Sequence, residues 1–116
     1  MRTTQRKGDI AVSQAIATFT KLGYDVALPL TESAPYDILV DDSKGIWRVQ
    51  VRFTSRKEVD LRRIHSNSQG YVVKKTQAKT YDWLYVLKPS GSEYLIKECL
   101  ISRRSIQPRD EHLLIF

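Results

Sequence analysis

The chain has 116 residues, enough for one hydrophobic core and too few for two domains of ordinary size. Its 41% hydrophobic and 28% charged residues exclude a disordered or fibrous chain, and a single cysteine, Cys99, excludes an internal disulfide. The net charge of +6 is concentrated: between Trp47 and Lys79 stand nine Lys/Arg and only two acids, Glu58 and Asp60, the one-sided clustering that a phosphate backbone attracts.

The polar start carries no apolar stretch of a secretion signal, and no apolar run approaches the ~20 residues of a membrane span, so a cytoplasmic protein with no membrane partner is expected. After a basic tail, Gly8 to Leu22 has helical spacing. Val12, Ile16 and Phe19 form one stripe, Ala11, Ala15 and Leu22 lie beside it, and Gly23 is the expected stop. Tyr24 to Leu28 reads as a short strand closed by Pro29, Thr31 to Pro35 as a loop, and Tyr36 to Val40 as a second strand. Asp41 to Gly45 has the composition of a tight turn.

The clearest periodicity follows. Trp47, Val49, Val51 and Phe53 alternate with Arg48, Gln50 and Arg52, which places an apolar face against the helix and a polar face toward a cleft. Thr54 to Gly70 is charged and turn-prone, and is expected to be a mobile arm or a long edge hairpin. Tyr81 to Leu87 and Glu93 to Ile96 read as two further strands, and Leu113 to Phe116 as a strand or an interface segment. Tyr81, Trp83, Tyr85 and Tyr94 read as core, and Cys99 as a buried thiol.

A helix, a strand, an Asp at the start of a second strand and an x-V-R/K strand after a hairpin resemble the core of the PD-(D/E)XK nuclease superfamily. The quoted residues are Gly8-Asp9-Ile10-Ala11, Leu22-Gly23-Tyr24-Asp25-Val26, Tyr36-Asp37-Ile38-Leu39-Val40-Asp41 and Trp47-Arg48-Val49-Gln50-Val51-Arg52. They look most like the group I intron-associated homing endonucleases of that superfamily, which accept Gln at the (D/E) position. The resemblance implies an α/β fold: a restriction-endonuclease-like core with a mixed β-sheet and an N-terminal helix packed on one face. Residues 1–116 would form one nuclease domain with a basic DNA-contacting arm at about 54–80.

The implied activity is metal-dependent hydrolysis of phosphodiester bonds in double-stranded DNA, site-specific in the manner of a homing endonuclease. Asp37, Gln50 and the Val51 carbonyl would hold Mg²⁺, with Mn²⁺ a possible substitute, and Asp37, Gln50 and Arg52 would carry the chemistry. Arg52 stands where the family usually has Lys; it cannot act as a base but can hold the scissile phosphate. Arg48, Arg56, Lys57, Arg62, Arg63, Lys74, Lys75 and Lys79 would follow the DNA backbone, and Asn67 and Gln69 could read base edges. Cutting both strands implies a homo-oligomer, a dimer or tetramer.

The sharpest departure is on the helix, where the family's acidic position is Val12. Asp9, one turn earlier, is either an acid that reaches the site through water or a first-turn acid that complements the helix dipole. Two further readings follow from Val12 and Arg52: a catalytically degenerate DNA-binding module on a nuclease fold, and a subunit that takes its missing acid from a partner chain.

Overall fold

In the computed structural model the helix α1 (Thr3–Lys21) begins five residues ahead of the Gly8 start expected from the sequence. Thr4, Gln5, Arg6 and Lys7 lack an apolar stripe, yet Gln, Arg and Lys are strong helix formers, and propensity alone carries the helix back through Gly8. Asp9 therefore lies beyond the first turn, which contains no acid, and the dipole role expected for it falls away. The helix ends where Gly23 takes φ +88: Tyr24 N–H donates to Phe19 O and Gly23 N–H to Thr20 O, each at 3.0 Å. This is a Schellman cap, and its usual apolar contact is present as the Phe19 and Tyr24 rings, stacked at 5.9 Å.

The structure describes residues 3–61, 63–67, 70–74, 80–100 and 104–115, with side chains for 4–61, 80–100 and 104–115. Among the described residues nine strands follow the helix: β1 (Asp25–Ala27), β2 (Ile38–Asp41), β3 (Ile46–Phe53), β4 (Val59–Asp60), β5 (Arg63–Asn67), β6 (Gly70–Lys74), β7 (Trp83–Leu87), β8 (Glu93–Ile96) and β9 (Ser105–Ile106). The main sheet has the order β1-β2-β3-β7-β8. All its pairings are antiparallel except β3 with β7, which run parallel from Val49↔Trp83 to Phe53↔Leu87. The β2–β3 turn is held by its own acids: Asp41 Oδ1 accepts Ser43 N–H at 2.8 Å, and Asp42 Oδ1 accepts Lys44 N–H and Gly45 N–H at 2.9 Å.

Burial explains the alternation in β3. On the helix side Val49 and Val51 pack with Ala11, Ala15, Phe19, Trp83, Tyr85 and Leu87, with Val12, Ile16, Trp47 and Phe53 at the margin. On the other side Leu84 and Val86 pack with Val59, Leu61, Tyr81, Ile96 and Leu100. Strand β7 is buried on both faces, as a central strand of a layered sheet must be.

The segment expected to be one arm divides. Thr54 to Leu61 returns to the sheet: Val59 and Leu61 are buried in the second cluster, and β4 pairs with β9. Strands β5 and β6 pair with each other as an antiparallel ribbon, from Arg63↔Lys74 to Asn67↔Gly70. Two apolar residues at i, i+2 were enough to anchor a segment whose composition looks polar. Cys99 is half-buried, not fully so. Leu113 makes a single bridge to Tyr94 after the short helix η1 (Asp110–His112) and forms no strand.

Candidate active site

The site arises because β3 outlasts β2. Their pairing ends at Ile38↔Val49, while β3 runs on to Phe53 beside β7. A strand residue points its N–H and C=O to the same side, so beyond Val49 the edge toward β2 would be left open at Val51. Asp37 closes half of it. Its own N–H donates to Val49 O at 2.9 Å, and its Oδ2 accepts Val51 N–H at 2.7 Å. A carboxylate thereby stands where a further β2 residue would have paired, and Val51 O faces the same opening.

Gln50 and Arg52 lie on the face opposite Val51, two residues apart on one strand, and so are direct neighbours. Gln50 is buried, at 8% exposure, and its amide orientation follows from its surroundings. Nε2 donates to Pro35 O at 2.6 Å, and Oε1 accepts Arg52 Nη1 at 2.5 Å and Nη2 at 2.9 Å. Arg52 Nη1 also donates to Val51 O at 3.0 Å. Asp37, Gln50, Val51 and Arg52, the four residues singled out from the sequence, thus form one bonded cluster.

The oxygen donors suit a hard divalent cation: one carboxylate, one amide oxygen and one backbone carbonyl. They fit Mg²⁺ or Mn²⁺ in kind, although the set carries a single negative charge and the guanidinium holds two of the three oxygens. Among the described residues no three His, Cys, Asp or Glu side chains gather as a metal site. Val12 is half-buried against the helix-side core. Asp9 is exposed.

Beside the cluster opens a cleft of about 700 Å³, lined by Arg52, Thr54, Arg56, Glu58, Asp60 and Arg104 among others. Arg56 and Lys57 are exposed. Arg48 has another use: its Nε reaches Asp82 Oδ2 at 3.2 Å, its N–H donates to the same oxygen at 2.9 Å, and Asp82 N–H returns to Arg48 O at 2.8 Å. That pairing clasps β3 to the entry of β7 and pairs the charge expected to meet phosphate with Asp82. Arg62, Gln69, Lys75 and Lys79 lie outside the described residues, as do the side chains of Arg63, Asn67 and Lys74, whose backbones belong to the ribbon.

Arg104 escaped the sequence reading. It reaches the cleft because Leu61 N–H donates to Arg104 O at 2.9 Å and β9 pairs with β4. The only signal was the Arg103-Arg104 doublet, which lies outside the basic stretch and is brought beside it by a two-residue pairing that no periodicity announces.

No helix among the described residues is long and apolar enough to cross a membrane. The sequence profile of the PD-(D/E)XK endonuclease family matches residues 2–97. No curated protein shows a sequence match to the chain. Among solved structures the chain is similar to a bacterial homing endonuclease, I-Ssp6803I, with a TM-score of 0.74 and 24% identity over 92% of this chain and 78% of that one. The likeness shows the fold, a mixed five-stranded sheet with an N-terminal helix of the restriction-endonuclease type.

Proposed function

The chain belongs to the PD-(D/E)XK endonuclease family, and on that premise we propose that it is a metal-dependent endonuclease of double-stranded DNA, site-specific like the homing endonucleases. The observation that carries this reading is the Asp37 carboxylate fixed on Val51 N–H, which gathers an acid, an amide oxygen, a carbonyl and a guanidinium at the open end of one strand. Asp37, Gln50 Oε1 and Val51 O would hold Mg²⁺ or Mn²⁺. A bound divalent ion supplies charge neutralisation at the phosphate and lowers the pKa of an attacking water.

The chain's own residues do the rest. The Val51 N–H bond orients the Asp37 carboxylate and leaves Oδ1 to meet the ion. Gln50, pinned by Pro35, presents a neutral oxygen, which lowers metal affinity relative to a two-carboxylate site. Arg52 stays charged at any physiological pH, so it takes no proton; it donates to the scissile phosphate and stabilises charge that develops there. Arg56 and Arg104 extend the positive surface along the cleft for the flanking backbone, with exposed Lys57 next to Arg56 in the chain, and each neutralised phosphate releases counterions. Cutting both strands takes two such sites, in a homodimer or tetramer.

Supercoiled plasmid or a library of homing sites, incubated with Mg²⁺, tests the reading. Asp37→Asn keeps an oxygen for the Val51 N–H while removing the charge, and cleavage is expected to fall by about a thousandfold. Equal nicking by both proteins overturns it. A second reading, a DNA-binding module that has retired its metal, is favoured by Val12, an apolar residue packed at the core margin where the family has an acid. Steep salt dependence of duplex binding, with no Mg²⁺ or Mn²⁺ uptake under any condition, would establish that reading instead.

A further inference from the structure

Gln50 Oε1 has two lone pairs, and both are taken: Arg52 Nη1 and Nη2 donate to it at 2.5 and 2.9 Å. Val51 O accepts a third bond from the same guanidinium at 3.0 Å. A small divalent ion needs its ligand oxygens at about 2.0–2.1 Å. Coordination by Gln50 therefore requires at least one Arg52 N–H to leave, and the like charges of ion and guanidinium oppose sharing the pair. Where the family has Lys, a single ammonium has no planar fork with which to clasp both oxygens.

We propose that Arg52 is a resident cation that competes with the metal for Gln50 Oε1 and Val51 O, and that the phosphate of bound duplex draws the guanidinium off those oxygens. Metal loading then depends on DNA. The acceptors suit such an exchange. Gln50 and Val51 O are neutral, and bonds from a guanidinium to neutral oxygens are weaker than those to a charged phosphate. The contact is also indifferent to pH, because Arg52 does not titrate. Ion and substrate would enter together, and hydrolytic activity would be withheld from a site without its duplex.

This inference rests on the metal-site reading above, and the measurement separates the two. Mn²⁺ binding is followed by calorimetry on wild type, Arg52→Ala, Arg52→Met and the double variant of Asp37→Asn with Arg52→Ala, each first checked for an unchanged melting midpoint; Arg52→Met keeps the apolar stem. Without DNA, both Arg52 variants are expected to bind Mn²⁺ on the order of tenfold more tightly than wild type, since the ion no longer displaces charged hydrogen bonds. Adding an uncleavable phosphorothioate duplex is expected to tighten Mn²⁺ binding to wild type by a similar factor, and to tighten the Arg52 variants much less. Equal Mn²⁺ affinity of wild type and both variants without DNA overturns the competition. Should Asp37→Asn in the Arg52→Ala background leave Mn²⁺ binding unchanged, the metal site itself is misassigned.

Discussion

The carboxylates of Glu93 and Asp37 are both held by this sheet, and they are held in opposite ways. Glu93 sits in the helix-side core at 7% exposure, where its Oε1 accepts the Thr18 hydroxyl from α1 and the Tyr85 phenol, the latter at 2.5 Å. Both donors are neutral hydroxyls on regular elements, and Tyr85 belongs to the core cluster with Phe19, Trp83 and Leu95. Asp37 is half-buried and takes its hydrogen bond from Val51, between Gln50 and Arg52, and of these Arg52 lines the cleft. The first arrangement is closed, with donors that match their acceptor inside the fold. The second brings unlike groups together at a place where backbone pairing has stopped, and it has room for a phosphate beside it. Glu93 ties helix to sheet, whereas Asp37 caps a strand whose partner has ended.

The largest expected effect tests the structural half of that contrast. Glu93→Ala strands the Thr18 and Tyr85 hydroxyls and opens space between helix and sheet, and should cost about 3–4 kcal/mol in urea unfolding. The protein that remains folded should keep its Mn²⁺ and duplex affinities. Normal stability with lost cleavage would reverse the roles of the two carboxylates.

Tyr85→Phe sharpens the same point at smaller scale. It removes one of the two donors and should cost about 1 kcal/mol at neutral pH. Burial, reinforced by the bond to Glu93, holds the Tyr85 phenol well above its ordinary 10.0. Above pH 10.0 the unfolded chain releases this proton and the folded one keeps it. The folded state then binds more protons, so stability present in full below that pH is lost as pH rises. Unfolding midpoints of wild type and Tyr85→Phe should converge as the pH climbs beyond 10, and parallel curves would show that the phenol is not held in the core.

Much of this could be read before any coordinates. Alternation of period two in Trp47 to Phe53 placed Gln50 and Arg52 on one polar face, and the apolar spacing of Ala11, Ala15 and Phe19 set the helix face; both patterns report burial directly. Asp37 was legible only through resemblance, because its role depends on β2 ending one strand position early, and no local pattern encodes where a partner strand stops. Glu93 passed unnoticed for a related reason. A Glu at a strand start reads as exposed, and only tertiary packing brings Thr18, 75 positions away, over it. Arg104 was missed because β4 and β9 are two residues each, too short for periodicity to register.

The smallest effect concerns two arginines that a charge count treats alike. Arg48 belongs to the basic stretch and was expected to meet phosphate, and its Nε, N–H and carbonyl all bond Asp82. Arg104 stands outside that stretch and lines the cleft. Arg48→Ala should lower stability by less than about 1 kcal/mol, since the side chain is a third exposed and water screens the pair. It should leave duplex affinity and its salt dependence almost unchanged. Arg104→Ala should do the converse: unchanged stability, weaker duplex binding, and a slope of log affinity against log salt reduced by about 0.9, the signature of one lost phosphate contact. Fluorescence anisotropy across a salt series measures both. If Arg48→Ala lowers the salt slope instead, the clasp to Asp82 opens on DNA, and an internally satisfied charge in this fold can still serve the substrate.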